Sequence, residues 1–161
     1  MIKNRKAIIV GIKSTILSKK EKFFLKKYKP WGVILFSRNL KKFKQIQKLI
    51  TDIKSIFKDN KYPILIDQEG GKINRLNKLI DTSILTAEFY GNLYKRDKKK
   101  FSNYYRVYIN QISYLLNELG ININTVPVLD VRRSKSSNII GDRSYSYIPR
   151  NVSKIGDFCI Q

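Results

Sequence analysis

Gly32-Val33-Ile34-Leu35-Phe36 and Pro63-Ile64-Leu65-Ile66-Asp67 are two short runs dominated by Ile, Leu and Val, and between them Phe43, Ile46, Leu49, Ile50, Ile53, Ile56 and Phe57 recur at three-and-four spacing. Near-continuous β-branched and leucine runs predict strands covered on both faces, and the stripe predicts one apolar face on a helix from about Lys41. Such a crossover is long enough to return the chain to the same sheet edge, so the two strands are expected to be parallel. The same alternation continues outward in both directions. Upstream lies an apolar run from Ala7 to Ile12, then Ser18 and Glu21 in capping-box spacing ahead of Phe23, Phe24 and Tyr28, with Pro30 as a stop. Downstream the reading gives a loop from Gln68 to about Leu85, a short helix from Ala87 to Tyr94 and a charged bend from Lys95 to Lys100. A helical stripe follows through Tyr105, Tyr108, Ile109, Ile112, Leu115, Leu116 and Leu119, closed by Gly120. A fourth strand is expected from Ile121 to Asp130, and Val152, Ile155 and Phe158 begin a further helix over Asn151 to Gln161. The order β-α-β-α-β-α-β makes the fold class α/β, and both an open doubly wound sheet and part of a barrel satisfy it.

At 161 residues and 18.9 kDa the chain has the size of one domain, residues 1–161, and falls short of the roughly 250 residues typical of a closed eight-stranded α/β barrel. Histidine is absent, which excludes histidine triads, histidine general acids and histidine-ligated metals within these residues. Cys159 is the sole cysteine, so no internal disulfide and no paired-cysteine zinc spacing exists. The net charge of +21 comes from 33 Lys and Arg against 12 Asp and Glu. Lysines outnumber arginines and are spread rather than striped, whereas base-edge recognition favours Arg; nucleic acid is therefore not the expected partner. Lys3, Arg5 and Lys6 precede the run from Ala7 to Ile12, which Lys13 closes. That run is too short for a signal h-region, and no apolar stretch approaches the ~20 residues that cross a bilayer. The expectation is a cytoplasmic protein with no membrane contact. No glycine-rich nucleotide loop or Walker lysine is present, so no cofactor is expected.

With acids this scarce, their positions inform. Asp67 and Asp130 close predicted strands, Glu69 follows Asp67 by two residues, and Asp142 sits in a loop. Carboxyl ends of parallel strands are where α/β proteins place their sites. In Asp67-Gln68-Glu69-Gly70-Gly71-Lys72-Ile73-Asn74-Arg75, acceptors and cations surround a glycine pair suited to positive φ, which fits a polyhydroxylated small molecule and equally fits a turn with solvated charges. An ionised Asp67 can accept from two sugar hydroxyls, and Arg75 can supply in-plane donors. The second constellation is Asp130 followed by Gly141-Asp142-Arg143-Ser144-Tyr145, on a loop of about twenty residues, long enough to be functional. The Arg143 fork beside Tyr145 could grip an acetamido carbonyl or a sugar carboxylate, or it could pair with Asp142 for structure. Asp130 is read as ordering the loop, and Glu69 as bonding backbone groups in its turn.

Four motifs in order carry a family resemblance: residues 32–39 from Gly32 to Asn39, 66–76 from Ile66 to Leu76, 127–131 from Pro127 to Val131, and 141–145 from Gly141 to Tyr145. They resemble the N-terminal half of bacterial β-N-acetylhexosaminidases of glycoside hydrolase family 3. The resemblance implies a partial (β/α)8 TIM barrel, strands one to four with their helices, and an enzyme removing terminal N-acetylglucosamine from muropeptides in cytoplasmic cell-wall recycling by a retaining mechanism. It places Asp67, Arg75 and Arg143 at sugar-binding positions, with Glu69, Gly70, Gly71, Asp130, Asp142 and Tyr145 in supporting or structural roles. It also implies that the family's histidine acid/base and aspartate nucleophile fall beyond Gln161, so that no catalytic residue is expected here and the chain alone is expected to be inactive. Two alternatives stand beside this: a non-catalytic module for sugars or polyanions, and a chain completed by a second polypeptide.

Overall fold

The computed structural model describes residues 4–133 and 139–161. Lys3 and residues 134–138 lie outside the described residues. The chain is built of two compact units, the first comprising Met1–Asp67, Arg75–Ile80 and Leu115–Asn124, the second Gln68–Asn74, Asp81–Tyr114 and Thr125–Gln161.

The first unit carries the sheet. Strands β1 (Lys6–Gly11), β2 (Pro30–Leu35), β3 (Ile64–Ile66) and β4 (Ile123–Asn124) are all parallel and lie in that order. Helix α1 (Lys19–Tyr28) joins the first pair and α2 (Phe43–Phe57) the second. The capping box at the start of α1 is formed: Glu21 N–H donates to Ser18 Oγ at 3.2 Å while Glu21 accepts from Ser18 N–H at 2.9 Å. On α2 the stripe behaves as its spacing requires, with Ile46, Leu49, Ile50 and Ile53 buried with Val33, Leu35, Ile64 and Ile66 in the same unit's core. Each such side chain removed from water contributes about 1.5–3 kcal/mol. Beyond β3 the ladder is extended by a side chain, since Asn122 Oδ1 accepts from Ile64 N–H at 2.8 Å and its Nδ2 donates to Tyr62 O at 3.1 Å.

Two expectations for the strands need correction. β1 is not covered on both faces: Ile8 and Ile9 are 45% and 48% exposed, because β1 is an edge strand whose one partner among the described residues is β2. The fourth strand does not run from Ile121 to Asp130. Its ladder with β3 holds only the pairs Leu65 with Ile123 and Ile66 with Asn124. Residues from Thr125 onward belong to the second unit, and Pro127 has no N–H to contribute to a ladder.

The second unit is helical and aromatic. Helix α3 (Ala87–Arg96) is capped by Thr86, which accepts from Phe89 N–H at 3.0 Å. Helix α4 (Lys98–Leu119), which belongs to this unit as far as Tyr114, begins two residues after α3 ends, so the charged segment from Lys95 to Lys100 bends only at Asp97. Asp97 makes this possible by ending α3 through its N–H to Leu93 O and capping α4 through its carboxylate, which accepts from Lys100 N–H at 2.9 Å. Helix α5 (Pro149–Ile160) starts with proline at its first position, where a missing N–H does no harm. Tyr90, Phe101, Tyr105, Tyr145, Val152 and Ile155 form the core of this unit. Inside it the hydroxyls of Tyr105 and Tyr145 share a 2.6 Å hydrogen bond. Gly91 on α3 lies against the backbone of Tyr145, where an added Cβ would stand 1.7 Å from the Tyr145 carbonyl oxygen.

Candidate functional site

In the first unit, Asp67 directly follows β3 and Arg75 returns to it. Arg75 Nη2 donates to Asp67 Oδ2 at 3.3 Å, with both side chains one-quarter exposed. The guanidinium also lies over the Phe36 ring, 5.3 Å from its centroid, and Arg75 Nε is buried without a hydrogen-bond partner among the described residues. Phe36 ends the β2 motif and carries a second cation on its ring, Arg38 at 4.6 Å. Arg38 is held by donating from Nε to Ile12 O at 2.9 Å. Asn39 is fully buried and ties this corner together, with Oδ1 accepting from Phe36 N–H at 2.9 Å and Nδ2 donating to Ile12 O and Ser14 O. The acid and guanidinium expected at the strand end are thus side by side, in a setting that also includes an aromatic face the sequence reading had not assigned.

In the second unit, the segment from Gln68 to Asn74 is a tight turn. Ile73 N–H donates to Gly70 O and Glu69 N–H to Ile73 O, both at 3.1 Å. Gly70 and Gly71 adopt φ of 87° and 56°, the left-handed region expected of the pair. A side chain at Gly70 would also collide with Leu85 O at 2.3 Å. Gln68 is buried and braces the turn from below, donating from Nε2 to Asn74 Oδ1 at 3.0 Å and to Thr82 Oγ1 at 3.2 Å.

Arg143 sits in a single 3₁₀ turn, Gly141–Arg143. It meets Glu69 through two parallel bonds, Nε to Oε2 and Nη2 to Oε1, each 2.8 Å, while Nη1 donates to Ile139 O at 3.5 Å. Two corrections follow. Glu69 does not spend its carboxylate on the backbone of its own turn, and Arg143 does not pair with Asp142. Neighbouring residues in a tight turn point apart, and Asp142 instead faces Lys72 at 3.7 Å. Tyr145 takes the structural role expected of it. It is buried at 8% exposure among aromatic neighbours and serves the core. Asp130, expected at the end of a strand, has an exposed side chain beyond the end of β4, and its carbonyl accepts from Ser144 Oγ at 2.6 Å. That buried hydroxyl also accepts from Arg132 N–H at 3.1 Å, so Ser144 pins the residue next to Arg143. Among the described residues no group of three His, Cys, Asp or Glu is placed to hold a metal.

Burial pushes the Tyr105 and Tyr145 hydroxyls above the usual phenol range, with their mutual proximity raising Tyr105 further. Tyr108, whose hydroxyl would stand 2.9 Å from a Cβ at Gly70, is pushed up to about 12 by the same desolvation. These groups stay neutral and pack behind the turn, with Tyr105 and Tyr145 sharing their hydroxyl hydrogen bond.

A parallel β/α sheet of this order, with an acid and a guanidinium at the carboxyl end of β3, is the first part of a (β/α)8 barrel. Native NagZ from Neisseria gonorrhoeae superposes with a TM-score of 0.84 at 23% identity over 97% of this chain and 45% of that one. The same protein in complex with N-trifluoroacetyl-D-glucosamine superposes at 0.80 with 24% identity, over 97% of this chain and 45% of that one. The family model described as the glycosyl hydrolase family 3 N terminal domain matches residues 6–161, and the chain belongs to that family. Among curated relatives, the beta-hexosaminidase A of Pseudoalteromonas piscicida is 33% identical across 82% of this chain and 22% of its own length. The beta-hexosaminidase of Hydrogenovibrio crunogenus is 30% identical across 96% of this chain and 42% of its own. The chain therefore spans less than half the length of these relatives.

Proposed function

We propose that this chain is the saccharide-holding part of a β-N-acetylhexosaminidase acting on terminal β-linked N-acetylglucosamine of muropeptides or similar glycans. The observation that carries the reading is the pair of Asp67 and Arg75 at the carboxyl end of β3, 3.3 Å apart, with the Arg75 guanidinium over the Phe36 ring, in a member of a hydrolase family. Asp67 would accept from two neighbouring sugar hydroxyls, while Arg75 donates in the plane of its guanidinium. Arg143 would take a further hydroxyl or the acetamido carbonyl. A retaining glycosidase needs a nucleophile and an acid/base on opposite sides of the scissile bond. The 161 residues contain no histidine, and Asp67 and Glu69, two positions apart in one loop, would approach a sugar from the same side. Neither the acid/base nor the nucleophile is therefore assigned to these residues. The activity belongs to cell-wall recycling in the cytoplasm.

The test is turnover of a chromogenic β-N-acetylglucosaminide. No release is expected from these residues alone, and release is expected on mixing with a polypeptide carrying the remaining strands. Turnover by the 161 residues alone would overturn the assignment of roles. The net charge of +21 supports a second reading as a polyanion binder, and salt separates the two. Oligonucleotide affinity that falls steeply with salt, with no saturable N-acetylglucosamine binding, would favour it.

A further inference from the structure

Cations outnumber acids in this chain by 33 to 12, so most basic side chains have no acid available to them. Arg143 is an exception made in a specific geometry. Glu69 covers the Nε–Nη2 edge of its guanidinium with two bonds of 2.8 Å. The side chains are only 11% and 24% exposed, so water screens the pair little. Both partners are fixed by their own backbone. Glu69 lies in the turn closed through Gly70 and Ile73 and braced by Gln68, and Arg143 is flanked by Ser144, whose buried hydroxyl bridges Asp130 O and Arg132 N–H. Next to Arg143, Asp142 faces Lys72, so a second cation in this loop cluster is also compensated.

We propose that Glu69 is a positioning and specificity residue: by gripping one edge of Arg143 it fixes the plane of the guanidinium and cancels its charge, so that Arg143 recognises a neutral hydroxyl or carbonyl and not a sugar carboxylate. This rests on the reading that Arg143 contacts the saccharide. A guanidinium without a carboxylate partner attracts an anionic sugar strongly, because bidentate carboxylate recognition is what its fork does best. A guanidinium already bonded to Glu69 offers an incoming carboxylate a neutral pair and a nearby like charge. A neutral acetamido or hydroxyl group loses nothing by that arrangement and gains a donor held in one plane.

The experiment compares binding of N-acetylglucosamine and glucuronate to the full chain by calorimetry at about 0.15 M salt, where exposed charges are largely screened. The chain is expected to prefer N-acetylglucosamine, and Glu69→Gln, nearly isosteric and neutral, is expected to shift the ratio of the two affinities by about tenfold toward glucuronate. The glucuronate gain should shrink as salt is added. Glu69→Asp, which keeps the charge, is expected to restore the original order of preference, a rescue that a purely structural role for Glu69 would not give. If Glu69→Gln does not fold, the unaltered chain and Glu69→Asp decide, and glucuronate bound as tightly as N-acetylglucosamine by either overturns the proposal. An unchanged preference in folded Glu69→Gln overturns the proposal alone. Failure of the unaltered chain to bind either sugar overturns the saccharide-holding reading and the proposal with it.

Discussion

Replacing Gly91 by alanine tests the packing that sets Arg143 in place. The new Cβ would stand 1.7 Å from Tyr145 O, 2.6 Å from its carbonyl carbon and 3.0 Å from its Cα. Ordinary contact begins at 3.4 Å, so α3 and the Tyr145 backbone must separate by about 1.7 Å, the difference of those two distances. Backbone cannot turn aside as the tip of a lysine can. Tyr145 is further held by its hydroxyl bond to Tyr105, and its neighbour Ser144 by the bond to Asp130 O. Overpacking of this kind typically costs 1–3 kcal/mol, and a clash against fixed backbone belongs at the upper end, about 3 kcal/mol. With a denaturant slope of about 2 kcal/mol/M, the urea midpoint should fall by about 1.5 M. The matched control is Gly141→Ala, where nothing among the described residues lies within 4 Å of the new Cβ and the φ of 45° opposes it. That substitution should cost about 1 kcal/mol, or about 0.5 M. Because Arg143 lies two residues before Tyr145, Gly91→Ala should also weaken N-acetylglucosamine binding at temperatures where the chain remains folded. A Gly91→Ala midpoint equal to that of the unaltered chain would refute the close approach of α3 to Tyr145.

Three further outcomes are expected. Asn39→Ala removes three hydrogen bonds from a fully buried side chain and leaves the Phe36 N–H without its acceptor, so thermal unfolding should show a loss of about 2–3 kcal/mol. The hydrogen bond from Arg5 to Asp59, joined by that from Lys61 N–H, holds the Asp59 carboxyl below its ordinary range; its stabilisation is present above the unfolded value of about 4 and lost as pH falls through the folded one, and melting curves of Asp59→Asn should converge on those of the unaltered chain in acid. Burial raises the Tyr105 and Tyr145 hydroxyls, so their contribution is complete below the unfolded value of about 10 and is lost as pH rises through the folded ones; in an alkaline absorbance titration these two tyrosines should ionise only as the chain unfolds, and free ionisation of all tyrosines in the folded chain would contradict their burial.

Helices were the most legible part of the sequence. The stripe from Phe43 to Phe57, the box at Ser18 and Glu21 and the stop at Gly120 each combine a period with a terminal signal, and each element begins or ends within a few residues of the place those signals give. Strand ends were less legible, because an apolar run such as Ile121 to Asp130 reads the same whether or not a neighbour pairs with it. The ladder with β3 pairs only Ile123 and Asn124, a limit that no local pattern records. For the candidate site, the residue types that make sugar-binding chemistry were visible at Asp67 and Arg75, and the structure puts them together. Partners distant in sequence were not visible. Glu69 and Arg143 are 74 residues apart, and nothing in either segment distinguishes that pairing from Arg143 with its neighbour Asp142. Phe36 could have been noticed as an aromatic at the end of a strand before Ser37-Arg38-Asn39, but only coordinates show two guanidiniums on its ring. Tyr145 has the structural role expected of it, although the sequence did not show that its hydroxyl would meet Tyr105.

The proposed roles of Asp67, Arg75 and Arg143 in holding an N-acetylhexosamine are tested most directly by a crystal structure of the chain grown with N-acetylglucosamine. The sugar is expected with ring hydroxyls at hydrogen-bond distance, about 2.7–3.2 Å, from the Asp67 carboxylate and the Arg75 guanidinium, with a further hydroxyl or the acetamido group on Arg143. A sugar bound elsewhere, with these three side chains engaged only with the protein, would contradict them.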